Sequence, residues 1–340
     1  FLLWYLALSF RNVKLINFRF ILSPINNSHK IDLQKKLTFA DLNFENHCMK
    51  QIEIKDRKTG KIFRETPPNE WLLKFLFTNP FGALPLHLIF IRKFFSDYAG
   101  RKMNEAKSTK RIQKFVSDFN INMNEAELKV SDFKHFNDFF YRKLKPNARP
   151  IADGIVSPAD GKILAFENIA KTKEFFVKGN KFTIDKFLQD ETLANKFKNA
   201  SLLLIRLAPD DYHRFHFPYA GKASASKLIN GAYYSVSPYA VKENFTIFCE
   251  NKREYSILET EDKGDILISE IGATMVGAIF QTYPAEQNVS KGQEKGYFAF
   301  GGSSVILLID ADKIKIDADI LDNTKNGFET TVKMGERIGV

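Results

Sequence analysis

The sequence predicts an α+β protein, with a mainly helical N-terminal part followed by a β-rich, sandwich-like part. Two patterns support this class. Before residue 146, Phe133, Phe136, Phe139 and Phe140 recur at the spacing of one helix face. After Pro146, short apolar runs alternate with turn signals such as Asp-Lys-Gly-Asp and Glu-Lys-Gly, which is typical of antiparallel strands.

The first segment, residues 1–50, carries little structural information. Its opening run FLLWYLALSF is apolar but ends at Arg11, whereas a membrane-spanning helix needs about 20 apolar residues. No basic residues precede this run and no small-residue cleavage site follows it, so a signal peptide is not predicted. We therefore expect a poorly defined N-terminal segment.

Residues 51–145 are predicted to be a mainly helical, membrane-associating region. They open with a short hairpin over 51–66 that turns at Thr59-Gly60. The next stretch is rich in Leu, Phe and Trp but is broken by Pro80 and Pro85. It forms either helices packed on the core or a patch lying on a membrane surface, and the sequence leaves both open. Ser131 is the expected N-cap of the phenylalanine-rich helix.

Residues 146–340 are predicted to form the β-rich domain, entered through the extended linker KPNARPI. One helix is expected at TIDKFLQD. The strand-like runs are GKILAFENI, EFFVKGNKF, ASLLLIRLAP, REYSILETEDKGDILISEIGATMVGAIFQ and GYFAFGGSSVILLI.

Composition narrows the class of partner. The net charge is +10, which suits an anionic partner such as nucleic acid or an acidic membrane surface. No helix-turn-helix, zinc or RNA-binding motif appears and the charge is spread along the chain, which disfavours nucleic acid. Two isolated cysteines, Cys48 and Cys249, make neither a disulfide framework nor a metal site, so a reducing compartment is expected.

Two stretches after residue 150 carry acid–base groups. Asp160 lies in a Pro-Ala-Asp-Gly sequence, where alone it reads as a turn residue. His213 and His216 lie three residues apart, and a zinc site would need further ligands at suitable spacing. We therefore expect no metal, and two histidines that exchange protons near neutral pH.

The third stretch, Gly301-Gly302-Ser303-Ser304, interrupts a predicted strand. It does not match the G-x-S-x-G elbow of serine hydrolases, and a strand rather than a helix follows the serine. A serine hydroxyl can instead attack the carbonyl of its own preceding peptide bond, and glycine eases that strained geometry. Elimination from the resulting ester would split the chain and leave a pyruvoyl group, a ketone able to act as an electron sink.

These motifs together resemble the phosphatidylserine decarboxylase family. The resemblance rests on FFYRKLKPNARPI, SPADGKI, DYHRFHFP and FGGSSVILLI in this order, supported by YSVSPYAVKENF and GATMVGAI, and covers roughly residues 51–340. The extended N-terminal part is similar to the longer form of the family. The family's cleavage motif is usually Leu-Gly-Ser-Thr, of which this chain retains Gly302 and Ser303.

The resemblance implies a role for each candidate residue. Ser303 would be the self-cleavage nucleophile and the precursor of a covalent pyruvoyl cofactor. His216 would be the base of the self-cleavage triad, Asp160 its orienting carboxylate, and His213 the histidine of the decarboxylation step. Cleavage between Gly302 and Ser303 would give a β chain, 1–302, and an α chain, 303–340. The family also implies a fold resembling lipoyl-type barrels.

The implied activity is that of a lyase made as a zymogen in phospholipid metabolism. It would convert phosphatidylserine to phosphatidylethanolamine and CO₂ through a Schiff base to the pyruvoyl group. The expected partners are phosphatidylserine in an anionic membrane, the α and β chains of one precursor, and a second copy in a homodimer. The expected location is peripheral, on the cytoplasmic face of the cell membrane.

Two alternatives remain at this stage. One is a family relative that binds lipid but does not cleave. The other is a carrier-type β-sandwich module, which would need an exposed lysine in a tight turn. Met275 has no adjacent lysine, which weakens the carrier interpretation.

Overall fold

The computed structural model describes most of the chain after residue 52. The described residues are 53–65, 71, 75, 93–170, 182–243, 245–273, 278–301 and 303–340. Predictions for residues 1–50, for most of the Trp- and Phe-rich stretch, for EFFVKGNKF, for Met275 and for Gly302 fall outside them.

The described strands form three β-sheets. The large sheet comprises β1 (Glu53–Lys55), β2 (Ile62–Phe63), β4 (Gly161–Phe166), β5 (Ser201–Leu207), β7 (Gly221–Ala223), β8 (Lys227–Ile229), β9 (Arg253–Glu259), β10 (Asp265–Gly272), β12 (Gln287–Val289), β14 (Ser303–Ile309) and β15 (Phe328–Val332). A three-stranded sheet contains β6 (Arg214–His216), β11 (Ile279–Gln281) and β13 (Glu294–Phe298), and β3 (Ile155–Val156) pairs with β16 (Arg337–Gly339).

The helices are short and lie between the strands. They are α1 (Lys93–Met103), α2 (Ile112–Asp118), α3 (Phe136–Phe140), α4 (Ile184–Leu188), α5 (Glu191–Lys196), α6 (Pro238–Glu243), α7 (Ile247–Glu250) and α8 (Ala318–Lys325). Shorter 3₁₀ turns cover Ala106–Arg111, Met123–Glu125 and Val130–Asp132. In the described part of the chain, no helix is both long enough and apolar enough to cross a membrane.

The centre of the large sheet is buried on both faces. Its strand order is β12-β7-β9-β10-β14-β5-β4-β15-β1-β2, with β8 paired to β9. The runs SLLLIRL of β5 and SSVILLI of β14 are buried at every position. Continuous apolar runs of this kind are expected where both faces of a strand are covered.

Different layers cover the two faces. On one face, Val305 and Leu307 of β14 pack in a cluster with Phe215 and Phe298 of the three-stranded sheet. On the other face, Ile306 packs in a cluster that includes side chains of α4, α6 and α7. This layering positions the three-stranded sheet directly against the face that carries alternate residues of β14, beginning with Ser303.

The predicted α+β class and the β-rich character of the second part are confirmed. The lipoyl-type barrel is not seen, because the large sheet runs open from β12 to β2 and the described strands form no closed barrel. The predicted domain boundary at 145/146 stays a prediction.

Two local predictions are confirmed and one is wrong. The early hairpin forms from β1 and β2, and α4 lies in TIDKFLQD with Thr183 as its N-cap. The predicted cap at Ser131 is wrong, because Ser131 belongs to a 3₁₀ turn and α3 begins five residues later. His135 caps that helix instead, with its Nδ1 accepting from the backbone N–H of Asp138 at 3.0 Å.

Candidate active site

Ser303 is the first residue of β14 and lies fully buried between two strands. Its backbone pairs with Leu207 of β5 on one side and with Gly272 of β10 on the other. The side chain is completely inaccessible to solvent, and its Oγ has no hydrogen-bond partner among the described residues. A buried hydroxyl without a partner is uncommon and calls for a functional explanation.

The segment before Ser303 is held by helix α3. The backbone N–H of Phe300 donates to Oδ1 of Asn137 at 2.9 Å, and the Phe300 ring packs edge-on against Phe140 with centroids 5.0 Å apart. Gly301 has a φ of +139°, a conformation that favours glycine. The interruption of the strand therefore reflects a backbone shape that a side chain at Gly301 would strain, two residues before the serine.

His213 is buried next to this segment. Its Nδ1–H donates to the carbonyl oxygen of Asp211 at 2.8 Å, so the proton is on Nδ1 and Nε2 carries the lone pair. Nε2 has no partner within the described chain, and the ring lies 3.9 Å from the Phe140 ring between centroids. Burial lowers the pKa of His213 to about 4. The imidazole is therefore neutral near pH 7 and offers a free acceptor.

His216 is oriented by a backbone carbonyl. Its Nδ1–H donates to the oxygen of Gly292 at 3.0 Å, and its Nε2 lies 3.2 Å from the hydroxyl of Tyr212, which donates to it. Burial lowers the pKa of His216, and the Gly292 carbonyl, together with the charges of Glu294 and Asp160, opposes that shift. His216 is thus a neutral base whose Nε2 accepts a hydrogen bond.

Asp160 is completely buried and forms ion pairs with two cationic side chains. Its carboxylate accepts from Arg149 Nε at 2.9 Å and Nη2 at 2.7 Å, from Lys333 Nζ at 3.2 Å and from the backbone N–H of Met334 at 2.8 Å. These bonds occupy the carboxylate, so the predicted contact from Asp160 to His216 is not formed. The roles predicted for both residues remain predictions.

The strand register nevertheless brings the candidate residues to one end of the sheet. Gly161, the residue after Asp160, begins β4 and pairs with Val332 of β15. On its other side β4 pairs with β5, and β5 pairs through Leu207 with Ser303 of β14, so Ser303 lies two strands away from Gly161. Adjacent strands are about 4.8 Å apart, which places the strand end at Asp160 about 10 Å from Ser303. His216 joins this end because its backbone N–H donates to the carbonyl of Pro158 at 2.8 Å.

A buried ion pair supports the loop that carries His213. Lys162 Nζ lies 2.7 Å from Oδ2 of Asp211, which also accepts from the backbone N–H of Ala208 at 2.8 Å. Burial alone would raise the pKa of Asp211, but the charge of Lys162 lowers it to about 2. The carboxylate is therefore ionised at neutral pH and fixes the loop whose carbonyl orients His213.

Sequence reasoning missed several of these supporting residues. Asn137 had a usable signal, since it is a polar residue inside a phenylalanine-rich helical face and buried polar groups need partners. Lys162 and Arg149 had none, because isolated charged residues near turns are ordinary on a protein surface.

An open cleft reaches the segment that precedes Ser303. It has a volume of about 510 Å³. Residues of α1 form one wall, and Asn137, Tyr141, Tyr297 and Ala299 contribute to the others. The cleft therefore opens to solvent beside Ala299, four residues before the buried serine.

Comparison with known proteins identifies the family. The family model described as phosphatidylserine decarboxylase matches residues 136–340. A phosphatidylserine decarboxylase proenzyme of Fusobacterium nucleatum is 52% identical over 301 residues, covering 88% of this chain and 99% of that protein. Proenzymes of the same name from Clostridium novyi and Desulfitobacterium hafniense are 46% and 43% identical, each over 85% of this chain and 99% and 98% of their own lengths. The chain belongs to the phosphatidylserine decarboxylase family.

Proposed function

We propose that this chain is a self-processing decarboxylase that converts phosphatidylserine to phosphatidylethanolamine and CO₂. The observation that carries the proposal is the buried hydroxyl of Ser303, which has no partner in the described chain and directly follows Gly301-Gly302. The similarity to proenzymes of that name over most of the chain supports it. A carrier module would have no use for a serine buried in this way.

The first reaction is cleavage of the chain at Gly302–Ser303. Oγ of Ser303 attacks the carbonyl carbon of Gly302, the peptide C–N bond breaks, and an ester and a free amine form. His216 takes the hydroxyl proton on Nε2 once the Tyr212 hydroxyl moves aside, and then passes it to the departing nitrogen of Ser303, which becomes the free amine. The charge of Asp160 stabilises the imidazolium that forms in between. Gly302 lies outside the described residues, so its part rests on the sequence alone.

Elimination then completes the processing. Loss of the α proton of Ser303 breaks the ester C–O bond and releases the carboxylate of Gly302. The remaining dehydroalanine takes up water and releases ammonia, which leaves a pyruvoyl group at the new N-terminus. The buried position of Ser303 fits such a group, because bulk solvent cannot compete with an amine for its ketone, and processing needs only a single water molecule to enter the site.

The second reaction is decarboxylation of the lipid headgroup. A pyruvoyl ketone supplies an electrophile for a primary amine and a sink for the electron pair left when CO₂ departs. His213 is the proton carrier in this proposal. Its Nε2 has no partner in the described chain, so it offers a position from which a proton can be returned to the carbon that loses CO₂.

The substrate would reach the site from a membrane surface. Trp71, Phe75, Phe94 and Tyr98 are exposed, and the last two lie on the helix that forms one wall of the cleft. Exposed aromatic side chains and a net charge of +10 suit an anionic lipid surface. We therefore propose peripheral binding at the cytoplasmic face of the cell membrane, and a homodimer as in the family resemblance.

The deciding experiment is the intact mass of the purified protein under denaturing conditions. We expect the wild type to give two chains, 1–302 and 303–340, with the smaller blocked by a pyruvoyl group. Ser303→Ala should stay whole. Ser304→Ala is the matched control, because Ser304 is equally buried and unpartnered among the described residues, yet it should still be cleaved.

Release of CO₂ from phosphatidylserine in detergent micelles is then measured on the processed protein. A wild type that remains a single chain of full mass, with no CO₂ released, would leave the non-cleaving lipid-binding relative as the better account.

A further inference from the structure

Arg142 has a donor with nothing to bind. The residue follows α3 by two positions, and its side chain is only 6% exposed. Nη2 donates to the carbonyl oxygen of Asp210 at 3.4 Å, whereas Nη1 has no hydrogen-bond partner among the described residues. Leaving a buried charged donor unpaired is costly, so such a group usually serves a ligand or a reaction.

The neighbouring carboxylates are already engaged by other cations. Asp160 is held by Arg149 and Lys333, and Asp211 is held by Lys162. Nη1 of Arg142 pairs with neither carboxylate, although both attract the guanidinium electrostatically. An anion arriving from outside would therefore meet a donor that no residue of the described chain competes for.

Arg142 and His213 bind consecutive carbonyls of one loop. Arg142 donates to the carbonyl of Asp210, and His213 donates through Nδ1 to the carbonyl of Asp211 at 2.8 Å. Each side chain has one nitrogen without a hydrogen-bond partner among the described residues: Nη1 of Arg142 is a charged donor, and Nε2 of His213 is an acceptor. A headgroup that carries both an anion and an ammonium group needs this combination of partners.

We infer that Nη1 of Arg142 binds an anionic oxygen of the phospholipid headgroup and so positions its amine beside His213 and Ser303. This inference rests on the proposed function. The anionic oxygen belongs either to the phosphodiester or to the carboxylate, and both present the geometry that a guanidinium recognises.

Two soluble probes separate these sources. Glycerophosphocholine carries a phosphodiester, and N-acetylserine carries a carboxylate. Neither has a primary amine, so neither can bind through a ketone. Binding of each probe is measured by calorimetry on the full chain for wild type, Arg142→Lys and Arg142→Gln. Arg64→Gln is the control, because it removes the same charge from an exposed surface pair with Glu53.

The expected result is a loss of affinity for at least one probe by about 10- to 100-fold in Arg142→Gln, the range for a hydrogen bond to a charged group. Arg142→Lys should recover part of it, and Arg64→Gln should leave it unchanged. With phosphatidylserine in micelles, KM should rise by a similar factor while kcat changes less, since ground-state binding is what is lost.

Three outcomes would overturn the inference. Neither probe binds the wild type. Alternatively, the variants keep affinity and KM within about twofold of wild type, which is the usual effect of a surface change. The third outcome is that neither variant at Arg142 melts cooperatively, which would show that Arg142 is needed for folding and not for binding. Calorimetry does not require decarboxylation. A wild type that binds a probe through Arg142 but releases no CO₂ would therefore contradict the proposed function and leave the inference about Arg142 intact.

Discussion

A buried ion pair joins the large sheet to the three-stranded sheet close to Ser303. Lys295 of β13 donates from Nζ to the two carboxylate oxygens of Glu270 at 2.9 and 3.0 Å and to Oε1 of Gln281 at 2.9 Å. Glu270 and Lys295 are completely buried. Glu270 lies two residues before Gly272, the β10 partner of Ser303. We predict that breaking this pair by Lys295→Met destabilises the protein far more than removing both charges does.

The magnitude follows from the geometry. At 2.9 Å and an effective dielectric constant of about 20, two unit charges attract by about 6 kcal/mol. Lys295→Met removes that attraction and leaves the Glu270 carboxylate with Gln281 Nε2 at 2.9 Å as its closest described donor. Removing one partner of a buried pair typically costs about 3–5 kcal/mol, whereas replacing both with apolar residues is often neutral or stabilising. Glu270→Leu/Lys295→Met should therefore recover most of the loss.

The assay is urea unfolding of each variant in a Ser303→Ala background, where the chain stays whole. Lys58→Met is the matched control, since Lys58 pairs with Glu336 at 2.9 Å but is 75% exposed, and it should cost less than about 1 kcal/mol. If Lys295→Met and the double variant unfolded at the same urea concentration, Glu270 would not depend on its counter-charge. The reasoning from burial would then be refuted.

Three further predictions concern other parts of the fold and site. Burial lowers the pKa of His213 from 6.5 to about 4, so the stability that neutral His213 provides is full above pH 6.5 and is lost as the pH falls toward 4. In a Ser303→Ala background, the free energy of unfolding measured in urea should fall between pH 7.5 and pH 5 by about 2 kcal/mol more than it does when His213→Gln is added. Gly296→Ala should lower the melting temperature, because a Cβ there would lie 2.1 Å from the backbone carbonyl oxygen of Phe280. Gly100→Ala is the matched control: Gly100 lies in a helix with open space around a Cβ, so this change should raise the free energy of unfolding by about 0.5–1 kcal/mol. Asn137→Ala leaves the N–H of Phe300 unpaired, and the appearance of the two chains on denaturing gels should slow by about tenfold.

Much of the strand pattern was predictable because it depends on local sequence. The runs that became β5 and β14 are continuous and apolar, and both are buried on two faces as such runs require. Helix α4 was predictable for the same reason, since the segment TIDKFLQD contains it. The cap of α3 was not, because His135 competes with Ser131 through a contact that only the folded turn defines.

The partners of the candidate residues were not predictable in the same way. His213 and His216 stand out in the sequence, but each donates to a backbone carbonyl, and a carbonyl leaves no signature in a sequence. Arg206 shows the same limit for charges. Its place in the apolar run SLLLIRL signals a buried charge, but its partner Glu329, 2.6 Å away in space, is far away in the chain, so the sequence does not show which residue neutralises it.

The position of β14 also decides what self-cleavage can do to the fold. Cleavage before Ser303 would make β14 the first element of the new α chain, yet this strand lies between β10 and β5 at the centre of the large sheet. Val305, Ile306, Leu307, Leu308 and Ile309 are almost completely buried, and burial of each contributes about 1.5–3 kcal/mol. Losing the α chain would therefore remove the middle of the sheet. The two chains should elute together in gel filtration without denaturant, and the new N-terminus should stay fixed between β5 and β10 because the strand that follows it is held on both sides.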